Sequence, residues 1–494
     1  MTVIQNDDKN MERKMRPFVS TWKRMKPEFI VLVRELLYLL RKHGIEKVGE
    51  GNARKNRVEF MSAVHDGWKK CQGIISSEII LRLDEISLLK QQSKDFHIQK
   101  KSKEKMRCLN DIKIIEYEIK VLRRFIDSII WTLLDNEHST IRRLPLPDNN
   151  DNLSKKNILD SMVAANIINE NPTSIAIISD LTTFVHAGDL VVMQIDKGLT
   201  LAEVKSGDKN IEFSHAAQFS VETKCPHFDE AYTQGFDEKD IKHYNRTKKQ
   251  WERLAGITNT INDGSGYDYY HKTQVKIDDK NYIPEFYNDA IVKRWHELKS
   301  GKNWSIDVID DCVYIGAYKE TEMGFVGFNS WMDGTEFKGH VFNISDSIVY
   351  HFSQPFFNLN LPHELIEDVI CEGMIVVLCL DYKKFMEFGN NKHPGLLHLA
   401  RPPKNRQDPN DYFMIDNEAL FSYKNGIESF VGTGMESRII FDFQTPASVV
   451  EWIYKGSDIY TQVNRKKQKE RREAQRNKKK KLKRARRSRS ATRK

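Results

Sequence analysis

The sequence predicts an α/β (α+β) core, preceded by an N-terminal helical bundle and followed by a second α+β region and a basic tail. Three stretches carry that expectation. Ile115, Ile119, Leu122, Ile126, Ile129 and Leu133 recur in alternating steps of four and three, the seam of two packed helices. Two short apolar runs rich in β-branched residues, Leu190 to Ile195 and Leu199 to Val204, flank Asp196-Lys197-Gly198, which is hairpin turn chemistry. From Arg465 to Lys494 the chain holds 18 Lys/Arg against 2 Glu and no apolar side chain beyond Ala and Leu482, so this segment cannot bury a face and is expected to be disordered.

Taken in order, residues 1–147 read as helical. Phe18 to Lys42 is expected as one helix and Ile74 to Ser102 as a second, with Ile75, Ile79, Leu83 and Ile86 on one stripe. The seam at 115–133 completes a helical hairpin or small bundle, whose helices are a candidate contact between copies of the chain. Pro147 to Asn152 is a polar break and marks a boundary. The core is expected over 153–320: a helix from Ser154 to Asn169, the hairpin, a helix from Asp240 to Ala255, a strand at Lys272 to Ile277, a helix from Ile283 to Lys299 and a strand pair over Ser305 to Tyr318. Residues 321–462 alternate strands and short helices, and the tail occupies 465–494.

Composition limits the function classes. At 494 residues the chain accommodates two to four domains. The tail carries a net charge of +16 while the whole chain carries +9, so the remaining residues sum to −7. The body is mildly acidic and the tail alone makes the protein basic, the footprint of binding to a polyanion. No window approaches the roughly 18 uninterrupted apolar residues of a membrane span; the most apolar patch, Phe29 to Leu40, is broken by Arg34-Glu35. Met1 to Lys14 lacks the apolar segment of a secretory signal. The six cysteines show no C-x-x-C or zinc-like spacing. A cytoplasmic, reduced setting without a membrane partner is expected.

The chemistry gathers at residues 188–207. Alternate side chains of a strand share a face, so Leu199, Leu201, Glu203 and Lys205 point one way, and two charged residues end a face that begins apolar. With residues 196–198 as the turn, paired positions sum to 394. Asp189 then lies opposite Lys205 and diagonal to Glu203, at roughly 7–8 Å. Two carboxylates in that arrangement share one hard cation, Mg²⁺ or Mn²⁺, which asks for one or two carboxylates and takes further oxygens from water or a phosphate. A lysine beside them orients water or stabilises developing negative charge. Glu-x-Lys at a strand end is also a common solvated pair with no chemistry.

Gly188-Asp189-Leu190-Val191-Val192 and Ala202-Glu203-Val204-Lys205-Ser206-Gly207 resemble the PD-(D/E)xK nuclease superfamily, with its restriction-endonuclease-like fold, in residue type, order and apolar flanks. The resemblance covers about 25 residues and departs from the family pattern at Gly188, where a Pro often stands. It implies a Mg²⁺-dependent endonuclease in which Asp189 and Glu203 are metal ligands and Lys205 is the catalytic lysine. It also implies a further carboxylate from the preceding helix; Glu170 and Asp160 are candidates, with Asp180 a third, and Glu170 is the upstream acid carried forward. His243, Arg246 and Gln250, on the helix after Glu-x-Lys, are candidate phosphate-binding residues, although a solvated basic face reads the same way. DNA is the expected partner ahead of RNA, and restriction, defence or repair the implied setting. In the tail, Arg465, Lys466, Lys467, Arg471, Arg472 and Lys478 to Lys481 (Lys478, Lys479, Lys480, Lys481) would bind nucleic acid without base specificity, together with Lys483, Arg484, Arg486 and Arg487.

The alternative is a non-catalytic nucleic-acid-binding or scaffolding protein that keeps the hairpin as architecture. Three other patterns fail on inspection: His363-Glu364 lacks a second His, Gly432-Thr433-Gly434 lacks a third Gly, and Cys225 with His227 lacks a partner pair.

Overall fold

The computed structural model describes residues 14–20, 22, 25–146, 153–194, 198–205, 207–269, 273–276, 283–350, 353–371, 373–402 and 413–455. Within these the chain is mixed helix and antiparallel sheet, an α+β protein. It divides into two compact units. One joins Val19–Asp279 to Ile344–Ile375; the other joins Lys280–Asn343 to Val376 onward and to the chain start up to Phe18. These limits differ from the expected boundaries at 147 and 320.

The unit that carries the candidate site begins with helix α1, Pro27–Arg41. Pro27 supplies the fixed φ and missing N–H that suit a first helical position, so the helix starts later than Phe18. Helix α2, Arg57–Ile98, extends well upstream of the expected start at Ile74. Its signal is Asn56: Oδ1 accepts the Glu59 N–H at 3.2 Å and Nδ2 donates to Glu59 Oε2 at 3.0 Å, a reciprocal cap of the kind that starts helices. Lys100, at φ 57°, reverses the chain into α3, Ser102–Leu133. Arg82 meets Glu118 at 2.9 Å, with the two residues equally far from that reversal, so the helices run antiparallel. Ile115, Ile119, Leu122, Ile126 and Ile129 of the seam are buried and Leu133 is half-buried.

After α4, Lys155–Asn169, the strands β1 Ser174–Ile178, β2 Leu190–Gln194 and β3 Gly198–Ala202 form an antiparallel meander in the order β1-β2-β3. The outer edge of β1 is covered by side-chain amides instead of a fourth strand. Gln72 of α2 donates to the Ala176 carbonyl at 3.0 Å and accepts the Ile178 N–H at 2.9 Å; Asn169 accepts the Ala176 N–H at 2.8 Å. An edge satisfied in this way is closed to pairing with another strand, and the same bonds tie the N-terminal helices to the sheet. The helical hairpin and the site-bearing sheet are therefore one body. Helices α5, Asp208–Thr223, and α6, Glu238–Asp263, pack on each other through Phe213, Ala217 and Tyr244, and a two-stranded hairpin follows, β4 Ser265–Asp268 with β5 Thr273–Lys276.

In the other unit, α7 Asn288–Lys299 precedes β6 Trp304–Ile309 and β7 Val313–Tyr318, followed by α8 Thr321–Thr335, β8 Val341–Asn343 and β9 Ile375–Leu380. These strands form a sheet in the order β6-β7-β9-β8, with β7 and β9 buried along their whole length. A second sheet follows α9, Tyr382–Lys392, and comprises β10 Leu397–Ala400, β11 Met414–Ile415, β12 Glu418–Lys424 and β13 Ile427–Phe430. Helix α10, Gly434–Ile440, and a helix over 446–455 end the described chain. Among the described residues no helix is long and apolar enough to cross a membrane.

Candidate active site

The hairpin register is shifted from the expected one. Leu190 pairs with Ala202 and Gln194 with Gly198, so paired positions sum to 392, not 394. Gly198 belongs to the ladder instead of the turn, and residues 195–197 between the strands lie outside the described residues. A shift of two in this sum leaves every side chain on its face, because faces alternate with period two; Leu199 and Leu201 are buried as expected. It does change the neighbours. Extending the observed pairing by one residue sets Asp189 beside Glu203, whereas the expected register placed it opposite Lys205.

Asp189 is held at three points. Its N–H donates to the Ala202 carbonyl at 2.8 Å, its carbonyl accepts the Ser179 N–H at 2.9 Å, and its carboxylate Oδ2 accepts the Val204 N–H at 2.6 Å. The first two bonds anchor the backbone between the ends of β1 and β3, and the third fixes the carboxylate against the chain segment that bears Glu203 and Lys205. Gly188 makes the approach feasible. Its φ is +76°, and a Cβ there would stand 2.9 Å from the Ala202 carbonyl and 3.4 Å from Leu254 of α6. Proline, locked near −65°, cannot occupy this position.

Lys205 Nζ lies 2.9 Å from Glu203 Oε2 and 3.5 Å from Gln250 Oε1 of α6. The two charged side chains are only 22% and 12% exposed, so the pair is partly withdrawn from solvent. Helix α6 runs along the hairpin: Asn262 donates to the Leu199 carbonyl at 3.3 Å, Leu254 packs by Gly188, and Gln250 reaches Lys205. The twelve helical steps from 250 to 262 span about 18 Å at 1.5 Å each, and the six strand-like steps from 199 to 205 span about 20 Å at 3.3 Å each, so the two elements match in length. Gly207, at φ +86°, then turns the chain from Lys205 into α5.

Charge is balanced unevenly across this cluster. Burial pushes the Asp189 carboxyl up from the usual aspartate value to about 6, and the negative charges of Glu203 and Asp180 push the same way. The Val204 N–H and the Lys205 ammonium oppose them without cancelling the effect. Like charges held together with too little positive charge are a common mark of a functional cluster.

Of the other expected residues, Gln250 is the one brought into contact with the trio. Arg246, four residues earlier on the same helix face, is exposed, and His243 lies edge-on to Phe213 with ring centroids 5.2 Å apart, within the aromatic core of α5 and α6. Glu170 is exposed at the C-terminal cap of α4. It precedes β1 at the end that pairs with Gln194, so five strand residues, about 17 Å, separate it from Asp189; the structure does not bring it to the trio. Asp160 is exposed on α4. Asp180, in a short 3-10 turn directly after β1, is the upstream acid whose charge reaches Asp189. A signal that could have placed it is the apolar run 174–178 before it, which the expected elements did not include. The tail residues lie outside the described residues.

Support comes from beneath. The buried Asp127 of α3 accepts the Thr183 N–H at 2.8 Å and the Thr183 hydroxyl at 2.6 Å, and pairs with Arg124 at 2.8 Å. This network pins the segment that leads to Gly188, and nothing in its residue spacing announced it. Among the described residues no group of three or more His, Cys, Asp or Glu side chains is arranged to hold a metal ion. The hard oxygen donors of Asp189 and Glu203 nevertheless fit Mg²⁺ or Mn²⁺, which accepts two protein carboxylates and completes its shell with water and substrate.

No protein-family model, no curated protein and no solved structure matches the chain.

Proposed function

We propose that the chain is a metal-dependent endonuclease that hydrolyses phosphodiester bonds, with DNA as substrate. The observation that supports this reading best is the juxtaposition of Asp189 and Glu203 at the ends of two paired strands, with Lys205 ion-paired to Glu203 and Gln250 behind it. Asp189 and Glu203 hold the divalent ion, and Val204 orients Asp189 for that task. A bound Mg²⁺ or Mn²⁺ polarises the phosphoryl oxygen and lowers the pKa of an attendant water. Lys205 offers a fixed positive charge to the phosphate as negative charge develops, and Gln250 restrains its ammonium. Arg246, exposed one turn along α6 from Gln250, would offer its charge to a neighbouring phosphate. The tail raises the local concentration of nucleic acid, in a restriction, defence or repair setting.

A second reading keeps the hairpin as architecture in a non-catalytic nucleic-acid-binding or scaffolding protein. It is favoured by the same ion pair, since Lys205 already neutralises Glu203 at 2.9 Å where the first reading puts a metal. Incubating the protein with plasmid, linear DNA and RNA in Mg²⁺, Mn²⁺ or EDTA separates the two. Metal-dependent, EDTA-sensitive cleavage supports the nuclease; binding without cleavage in every metal supports the scaffold.

A further inference from the structure

Helix α4 presents three large aliphatic side chains to solvent. The face it buries consists of Ile158, Ser161 and Ala165, whereas Leu159, Val163 and Ile167 are 44%, 64% and 66% exposed. A surface helix ordinarily shows the reverse arrangement. At the start of the helix Lys155 is ion-paired to Asp84 of α2, and Leu81 and Leu88, flanking Asp84 on that helix, are also 61% and 59% exposed. Exposed apolar rows mark interaction surfaces.

The charges around the row identify its occupant. Lys156 stands three residues before Leu159, and Glu170 stands three residues after Ile167; both are exposed, and neither is ion-paired among the described residues. At about 100° per residue, positions 156, 159, 163, 167 and 170 all fall within an arc of about 80°. The pattern is its own complement on reversal. Turned end to end about Val163, a second copy of the helix sets Leu159 against Ile167, Val163 against Val163, and Lys156 against Glu170, and the last pairing occurs twice. A row spaced i, i+4, i+8 is also a ridge able to interdigitate with a copy of itself, and a two-fold contact requires a self-complementary patch.

We infer that the Leu159–Val163–Ile167 face of α4 is the contact through which two copies of this chain associate, antiparallel about a two-fold axis at Val163. The face is small beside the 1,200 Å² or more of a standard interface, so the dimer is weak, with a dissociation constant on the order of 10 µM. None of the residues involved belongs to the Asp189 cluster, so the inference stands or falls independently of the nuclease reading.

Sedimentation velocity of the full chain from about 1 to 100 µM, at about 150 mM salt, tests it. The wild type should move from monomer to dimer over this range. Val163→Glu, which brings two like charges together on the axis, should remain a monomer while its thermal unfolding stays that of the wild type, because position 163 is exposed. Lys156→Glu and Glu170→Lys should each weaken the dimer about fivefold or more, and the double variant, with the charges exchanged, should regain wild-type association. A wild type that stays monomeric throughout, a dimer that survives Val163→Glu, or a double variant weaker than either single one would overturn the proposal. The last outcome would mean that some other partner or surface covers this face.

Discussion

The Val204 N–H donates to the Asp189 carboxylate at 2.6 Å, so the chain segment between Glu203 and Lys205 orients the acidic residue on the strand beside it. This bond and the bond from Asp189 N–H to Ala202 hold Asp189 in a place where burial and the charge of Glu203 disfavour its ionised form. The cluster is thus a place where folding keeps charges in contact at a cost in stability.

That cost has a pH signature. The Asp189 carboxyl is raised to about 6 in the fold against about 3.9 unfolded, so between these values the folded state binds more protons and stability falls as pH rises. Asp189→Asn removes the ionisation. The variant should match the wild type near pH 4 and exceed it by on the order of 1–3 kcal/mol above pH 7, in urea unfolding without metal. Equal destabilisation of the variant at both pH values would show that the aspartate is not strained by its surroundings.

At Gly188 the backbone conformation carries the argument. Gly188→Ala places a Cβ in the left-handed region and against the Ala202 carbonyl, and should cost about 1–3 kcal/mol. Gly188→Pro cannot adopt φ +76° at all and should cost about 3 kcal/mol or more. A proline variant as stable as the wild type in denaturant would show that position 188 does not depend on a positive φ.

Lys205 and the two carboxylates should separate in their effects. Lys205→Ala removes the ion pair with Glu203 and the cation that competes with Mg²⁺, so metal affinity should hold or improve. Turnover should fall by roughly 10²-fold or more, the usual scale for losing a preorganised charge-stabilising group. Cleavage at the wild-type rate would take the lysine out of the mechanism.

On the proposed reading the tail captures substrate and takes no part in the chemistry. Each phosphate it neutralises contributes about −0.9 to the log–log salt slope on duplex DNA. Ending the chain after Asn464 should flatten that slope by several units between about 50 and 200 mM salt and weaken binding equally on unrelated duplexes, while cleavage at saturating substrate persists. Identical slopes for the two proteins would assign the tail to another partner.

Much of the architecture was legible because it rests on periodicity: the seam 115–133, the two strands of the hairpin and the helix beside it appear where the apolar spacing places them. Helix starts were legible only through caps, and Asn56 with Glu59 is such a signal. The exact hairpin register was not, because Gly198 serves equally as a turn residue or as the first residue of a strand, and only cross-strand packing decides. Asp189, Glu203 and Lys205 lie near one another, but with Asp189 beside Glu203 and not opposite Lys205 as the expected turn had it, and Gln250, which only the resemblance pointed to, reaches Lys205. Glu170 does not, since it adjoins the start of β1 whereas Asp189 lies beside the far end of that strand. Asp127 and Gln72 act through contacts distant in the chain, which no local pattern encodes.

The central claim is tested most directly by single-turnover cleavage of a labelled duplex in Mg²⁺, comparing the wild type with Glu203→Gln purified in parallel, alongside calorimetry of Mg²⁺ binding to each. The glutamine keeps the size of the side chain and removes its charge. The account predicts that the wild type binds Mg²⁺ and cleaves, that EDTA stops it, and that Glu203→Gln folds normally but binds Mg²⁺ more weakly and cleaves at least about 10²-fold more slowly. Cleavage and metal binding unchanged in Glu203→Gln, or no cleavage by the wild type in either Mg²⁺ or Mn²⁺, would contradict it.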